Sequence, residues 1–256
     1  MGAPAAVQWA GATAYAHKTE GDRIIIDPLT LSAIVPALIL LGYVYNLDPV
    51  EKEPAGLLLV LLVMGGLSTL LAGFFEYVGM GTIGGSSLTI AKGVTLSPEI
   101  VENFLVIALV EEGCKYCFLG WRTWRDPNFD YVFDGIVYAV FVGLGFAIAE
   151  NIGYVWQYGM GTAFVRAFTA IPGHCVFAVF MGYFYGLARR SATLGHGLRM
   201  LFFGLCALVV PLLCHGLYDY LASYTDDLFM LYLVVFVVVG MLAAKHASRK
   251  AQRINA

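Results

Sequence analysis

Apolar runs separated by short polar connections dominate the chain, and seven of them reach the roughly 17–25 residues that a helix needs to cross a bilayer. They lie at 29–46, 54–78, 100–121, 133–157, 162–189, 198–222 and 227–245. This pattern predicts an all-α polytopic membrane protein of about seven transmembrane helices, a multi-pass protein of the cell membrane whose surroundings are the lipid bilayer. The third run breaks the rule that such helices are apolar throughout: Glu111-Glu112-Gly113-Cys114-Lys115 sits at its centre. A charge at that depth costs about 2.5–3.5 kcal/mol on insertion scales, so two adjacent carboxylates there call for a function.

Composition agrees with the periodicity. Of 256 residues, 59% are hydrophobic and 13% charged, with a mean hydropathy of +0.76. A water-soluble domain carries about 25% charged residues. A net charge of −3 with dispersed basic residues gives no footprint for a nucleic acid. Residues 1–28 form an N-terminal segment without the pattern of a signal peptide. Residues 29–245 form a single membrane-embedded domain, and 246–256 a basic tail. The longest connection, 79–98, is rich in Gly, Ser and Thr and is expected to be irregular or partly re-entrant.

Lys and Arg in the connections set the orientation. Ten fall on one side: Lys52, Arg122, Arg125, Arg189, Arg190, Arg199, Lys245, Arg249, Lys250 and Arg253. Four, Lys18, Arg23, Lys92 and Arg166, fall on the other. The N-terminus is therefore expected outside and the C-terminus in the cytoplasm. In that frame Glu111 and Glu112, Glu150 and Asn151, His174 and His215 come from four helices to one layer, between the membrane centre and the outer leaflet.

Each of these residue types has a use there. Lys115 is one turn from Glu111, and two buried carboxylates beside an ammonium are expected to share a proton, offering a base and an acid together. Asn151 is a donor suited to a developing oxyanion. His174 follows Pro172-Gly173, which predicts a kinked helix with a carbonyl freed near residue 168. Asp219 is one turn beyond His215 and can orient its ring. Asp134 at a helix start reads first as a cap. All five cysteines, Cys114, Cys117, Cys175, Cys206 and Cys214, lie in apolar runs and read as packing residues; no serine or cysteine nucleophile has a partner.

Taken together, Glu111-Glu112-x-x-Lys115, Asp134-Gly135, Gly-Phe-x-x-x-Glu150-Asn151, Pro172-Gly173-His174 and His215-Gly-x-Tyr-Asp219 resemble the PrsW family of intramembrane proteases, as does Tyr43-Val-Tyr…Glu53-Pro54. A more distant likeness joins them to the CAAX-processing and bacteriocin-immunity proteases, from whose pattern Glu150-Asn151 departs where a histidine is usual. The resemblance implies a glutamic-type endopeptidase that makes the first cut in an anti-sigma factor, near the extracytoplasmic side, under envelope stress. The expected catalytic set is Glu111, Glu112, Glu150, Asn151, His174 and His215, supported by Lys115, Asp219 and Asp134, with no cofactor. The expected substrate is a single-pass transmembrane protein. Two alternatives use the same residues: a zinc-dependent hydrolase with Glu112, Glu150, His174 and His215 as ligands, to which Glu111 could also contribute, and a proton-coupled transporter.

Overall fold

The computed structural model describes residues 27–224 and 226–255, so the expected N-terminal segment lies outside it apart from its last two residues. The first helix, α1 (Pro28–Leu47), starts where Asp27 accepts a hydrogen bond from the Leu29 N–H at 3.2 Å and Pro28 presets the first turn. It buries only a narrow stripe, Ala33, Ala37, Leu41 and Val44. Helix α2 (Ala55–Ile83) follows a loop closed by Pro54, and runs five residues past the expected end at 78.

The connection expected to be irregular folds instead as an exposed hairpin, β1 (Leu88–Ala91) with β2 (Val94–Leu96). Gly93, at φ +82°, supplies the left-handed turn residue. The hairpin is anchored at its base by the Gly85 N–H, which donates to Glu102 Oε1 at 2.7 Å.

Residues 98–123 form one helical run in three parts: α3 (Pro98–Ile100), a π-helical stretch (Val101–Ala108), and α4 (Leu109–Thr123). The π stretch ends three residues before Glu111, and such irregularities commonly mark a functional site. It packs against the next-to-last helix, where Gly216 lies on the Phe104 ring with no room for a Cβ.

Helix α5 (Val132–Tyr158) is the axis of the bundle. It is 83% buried along its most apolar window, against 22% for α1 and for the last two helices. It crosses α2 closely because Gly65 meets the Val142 carbonyl and Gly145 the Leu62 carbonyl, contacts that a Cβ would block. The fifth expected span is α6 (Met160–Phe168) and α7 (Ala170–Thr193), broken at Thr169. That break falls three residues before Pro172, beside the carbonyl that the proline leaves without a donor. Helices α8 (Gly197–Tyr224) and α9 (Asp226–Lys250) complete the chain.

Among the described residues, six helical segments are long and apolar enough to span a membrane, and the third expected run is instead the segmented helical stretch 98–123. The protein is an all-α, multi-pass membrane protein. The ends of α1, α4, α7 and α9 meet on one face. There the Val132 N–H donates to the Gln252 carbonyl at 2.9 Å and the Ile254 N–H to the Asp130 carbonyl at 2.7 Å. Ser248 Oγ reaches the Leu47 carbonyl, and Arg190 Nε the Arg253 carbonyl. This is the face that carries nine of the ten basic residues counted on one side plus the start of α8 with Arg199.

Candidate active site

Lys115 is the hub of the polar interior. Its Nζ lies 3.0 Å from Glu111 Oε2, 2.8 Å from Glu112 Oε1 and 3.2 Å from His174 Nδ1, so all three ammonium protons have acceptors. On sequence Lys115 is paired only with Glu111; Glu112 reaches the same nitrogen because it lies three residues before Lys115 on α4. The ammonium also sits 4.0 Å from the centroid of Phe146.

Because Nδ1 of His174 accepts from Lys115, its Nε2 carries the proton and donates to Glu150 Oε2 at 2.9 Å, an assignment made from the network. Glu150 Oε2 is also 3.0 Å from Arg166 Nη2, and Arg166 Nε donates to Asn151 Oδ1. On the other flank, His215 Nδ1 lies 2.9 Å from Glu112 Oε1, its Nε2 lies 3.4 Å from Asp219 Oδ2, and its ring is stacked on Phe177. A continuous polar chain thus runs from Asn151 through Arg166, Glu150, His174, Lys115 and Glu112 to His215 and Asp219, drawn from α4 to α8.

Exposure grades along this chain. The Glu112 side chain is 1% exposed, while Glu150 is 19% and Asp219 23% exposed. The centre is therefore dry at Glu112 and opens through Glu150 and Asp219, on the side away from the basic face.

Three buried atoms inside it have no hydrogen-bond partner among the described residues, Asp219 Oδ2 being one, with only the 3.4 Å approach of His215 Nε2. Glu112 Oε2 is a buried acceptor without a donor, and Asn151 Nδ2 a buried donor without an acceptor. Such groups cost about 1–3 kcal/mol each and are retained where something else is bound.

Of the residues expected to support the site, Asp134 stands elsewhere. It occupies the opposite end of α5, sixteen residues or about 24 Å from Glu150, and its Oδ2 accepts from the Asp130 and Tyr131 N–H groups at 3.0 and 2.7 Å. It is a helix cap.

Arg166, counted in the sequence among outer-face charges, is instead an interior residue paired with Glu150. Glu76 was not anticipated at all: it projects from α2 into the field of Glu111, Glu150, His215 and Lys115. A glutamate alone in the second apolar run was the only available signal. The cysteines are free, and Cys114 packs with Ala72 and Phe146.

The donor atoms of Glu111, Glu112 and His174 lie within 4.8 Å of one another. Two carboxylates and an imidazole are a fitting donor set for zinc, and the unpartnered Glu112 Oε2 is consistent with a further ligand. This convergent trio has Glu111 where the sequence suggested Glu150 and His215. The Lys115 ammonium is the cation that these three donors now share.

A membrane-buried cluster of carboxylates, imidazoles and a lysine, with free hydrogen-bonding capacity at its centre, has the groups that hydrolysis at membrane depth needs. Residues 53–243 match the family described as PrsW family intramembrane metalloprotease. The chain is similar to Protease PrsW of Geobacillus kaustophilus, 32% identical over 79% of this chain and 86% of the relative. It is also similar to Protease PrsW of Bacillus subtilis, 32% identical over 88% and 95%, and of Clostridioides difficile, 29% identical over 82% and 86%. No solved structure matches it. The chain belongs to the PrsW family, and it is an intramembrane protease.

Proposed function

We propose that the protein cuts a single-pass membrane protein, of the anti-sigma-factor kind, on the extracytoplasmic side, with Glu112 as the general base. The observation that carries this reading is the unpartnered, buried Glu112 Oε2. It is the acceptor to which a water can give a proton while attacking a peptide carbonyl. Lys115 and His215 hold Oε1 of the same carboxylate and so fix where Oε2 points. The free Asn151 Nδ2 is the donor for the oxyanion, and Asp219 orients His215.

The substrate must enter unwound, because a helical amide is closed by its own hydrogen bond. The opening through Glu150 and Asp219 faces away from the basic loops, which supports an outer-leaflet cut with the N-terminus outside and the C-terminus in the cytoplasm.

A second reading is favoured by the convergence of Glu111, Glu112 and His174 and by the family's description as metalloproteases. In it these three residues would hold a zinc ion, which would supply Lewis-acid chemistry and a water of lowered pKa. Lys115 then turns from the trio and Glu150 continues to orient His174.

The test is cleavage of a co-reconstituted single-pass substrate by Glu111→Gln and Glu112→Gln, with chelator treatment and metal add-back of the unchanged protein. Loss in Glu112→Gln with activity indifferent to chelator supports the first reading. Loss on chelation with recovery on zinc supports the second. Undiminished cutting by both variants overturns both.

A further inference from the structure

At the other end of α5, remote from the catalytic cluster, a second group of acids converges: Asp48 from the α1–α2 loop, Glu53 from the same loop, and Asp134 from the first turn of α5. One carboxylate oxygen of each lies within 4.8 Å of the others. The three residues are 9%, 3% and 1% exposed. Their hydrogen bonds do not exhaust them. Glu53 Oε2 accepts from the Tyr138 hydroxyl and Asp48 Oδ1 from the Val50 N–H, but Glu53 Oε1 and Asp48 Oδ2 are buried with no donor.

The charges around the trio are of the wrong sign to balance it. Glu53 has the like charges of Asp48, Glu51 and Asp130 as its neighbours. The nearest ammonium, Lys52 Nζ, is spent on the Tyr45 and Asp48 backbone carbonyls at 2.7 and 3.0 Å. Arg253 serves Tyr131 and Arg122 serves Asp126.

We propose that Asp48, Glu53 and Asp134 form a second, non-catalytic site for a hard divalent cation, Ca2+ or Mg2+. Oxygen-only donors select hard ions over zinc, and oxygens about 2.3–2.6 Å from one Ca2+ span at most about 5 Å, which the trio satisfies. The unpartnered oxygens of Glu53 and Asp48 are the acceptors such an ion would fill. Bound there, it ties the α1–α2 loop to the first turn of α5, so that the central helix is clamped at the end opposite its catalytic glutamate.

The test uses the full chain in detergent at neutral pH. Thermal unfolding is followed in EDTA, Ca2+ or Mg2+, and Tb3+ is the luminescent probe, excited through tyrosine. Tyr138 touches a proposed ligand and is the antenna. The expected result is an unfolding midpoint raised by several degrees in Ca2+ or Mg2+, and a Tb3+ signal at this site that Ca2+ or Mg2+ competes away. Glu53→Gln and Asp48→Asn each weaken both by about tenfold or more in cation concentration, while Glu112→Gln leaves both in place.

Asp48→Asn changes a loop residue, and Glu53→Gln keeps the oxygen that Tyr138 needs, so both variants report on the ion when α5 capping is intact. A midpoint indifferent to both cations, or a Tb3+ signal equal in wild type, Glu53→Gln and Asp48→Asn, overturns the site. Because the readouts are stability and luminescence, they stand apart from the fate of the catalytic reading.

Discussion

The two ends of α5 each bury a knot of carboxylates, and they are balanced in opposite ways. Toward the outer end, Glu111, Glu112 and Glu150 are held by Lys115, Arg166 and two imidazoles, with one oxygen of each carboxylate on a cation or an imidazole. Toward the basic face, Asp48, Glu53 and Asp134 meet with backbone amides and one phenol but no ammonium or guanidinium on their carboxylates. The comparison teaches that burial of acids has two solutions. A protein cation built into the fold leaves a permanent field for chemistry, with Glu112 Oε2 left open beside it. A cluster without a built-in cation must hold protons or recruit an ion from solution.

The largest effect expected is on turnover. Glu112→Ala removes the base while Lys115 still has two acceptors, and cleavage of a reconstituted substrate should fall by about a thousandfold or more, against the 10²–10⁴ range for general-base removal. Next comes stability: Lys115→Met leaves three acceptors around an empty centre, at a cost of about 3–5 kcal/mol for breaking a buried ion network. Denaturant or thermal unfolding in detergent measures it, and Lys115→Met combined with Glu111→Gln should recover part of the loss.

Arg166→Ala acts on a pair that is partly exposed, so a smaller cost of about 1–2 kcal/mol is expected, with Glu150→Gln in the same chain restoring most of it. At the other knot the sign reverses. Glu53→Gln in EDTA removes a like charge and should leave stability unchanged or slightly raised. If it destabilises as strongly as Lys115→Met, the contrast between the two knots fails.

The smallest effect belongs to Asp126, in the loop beside the basic face. Burial would raise its carboxyl, but the Asn128 backbone N–H, the Arg122 guanidinium and the Asn128 amide together hold it below the usual range. Its folded value lies below its unfolded one, so its stabilising contribution is present above about pH 4 and is lost as pH falls through the folded value. Asp126→Asn should unfold at a lower temperature than wild type near neutrality, and the gap should close in acid.

Apolar run length, read against the thickness of a bilayer, determined the all-α membrane class, six of the seven expected spans and the approach of Glu111, Glu150, His174 and His215. These depend on positions close in the chain, where helical rise converts number into height. The family followed from motifs that are themselves local.

What only the tertiary structure decided is everything that needs two distant segments at one point. Arg166 reads as an outer charge until α6 is seen turning it onto Glu150. Glu76 has no motif and acquires meaning only because α2 crosses α5 through Gly65 and Gly145. Glu53 and Asp134 are eighty-one residues apart in number, and nothing in their surroundings says that they meet over Tyr138. Electrostatic energy depends on distance in space, and a sequence carries distance in space only within a helical turn or two.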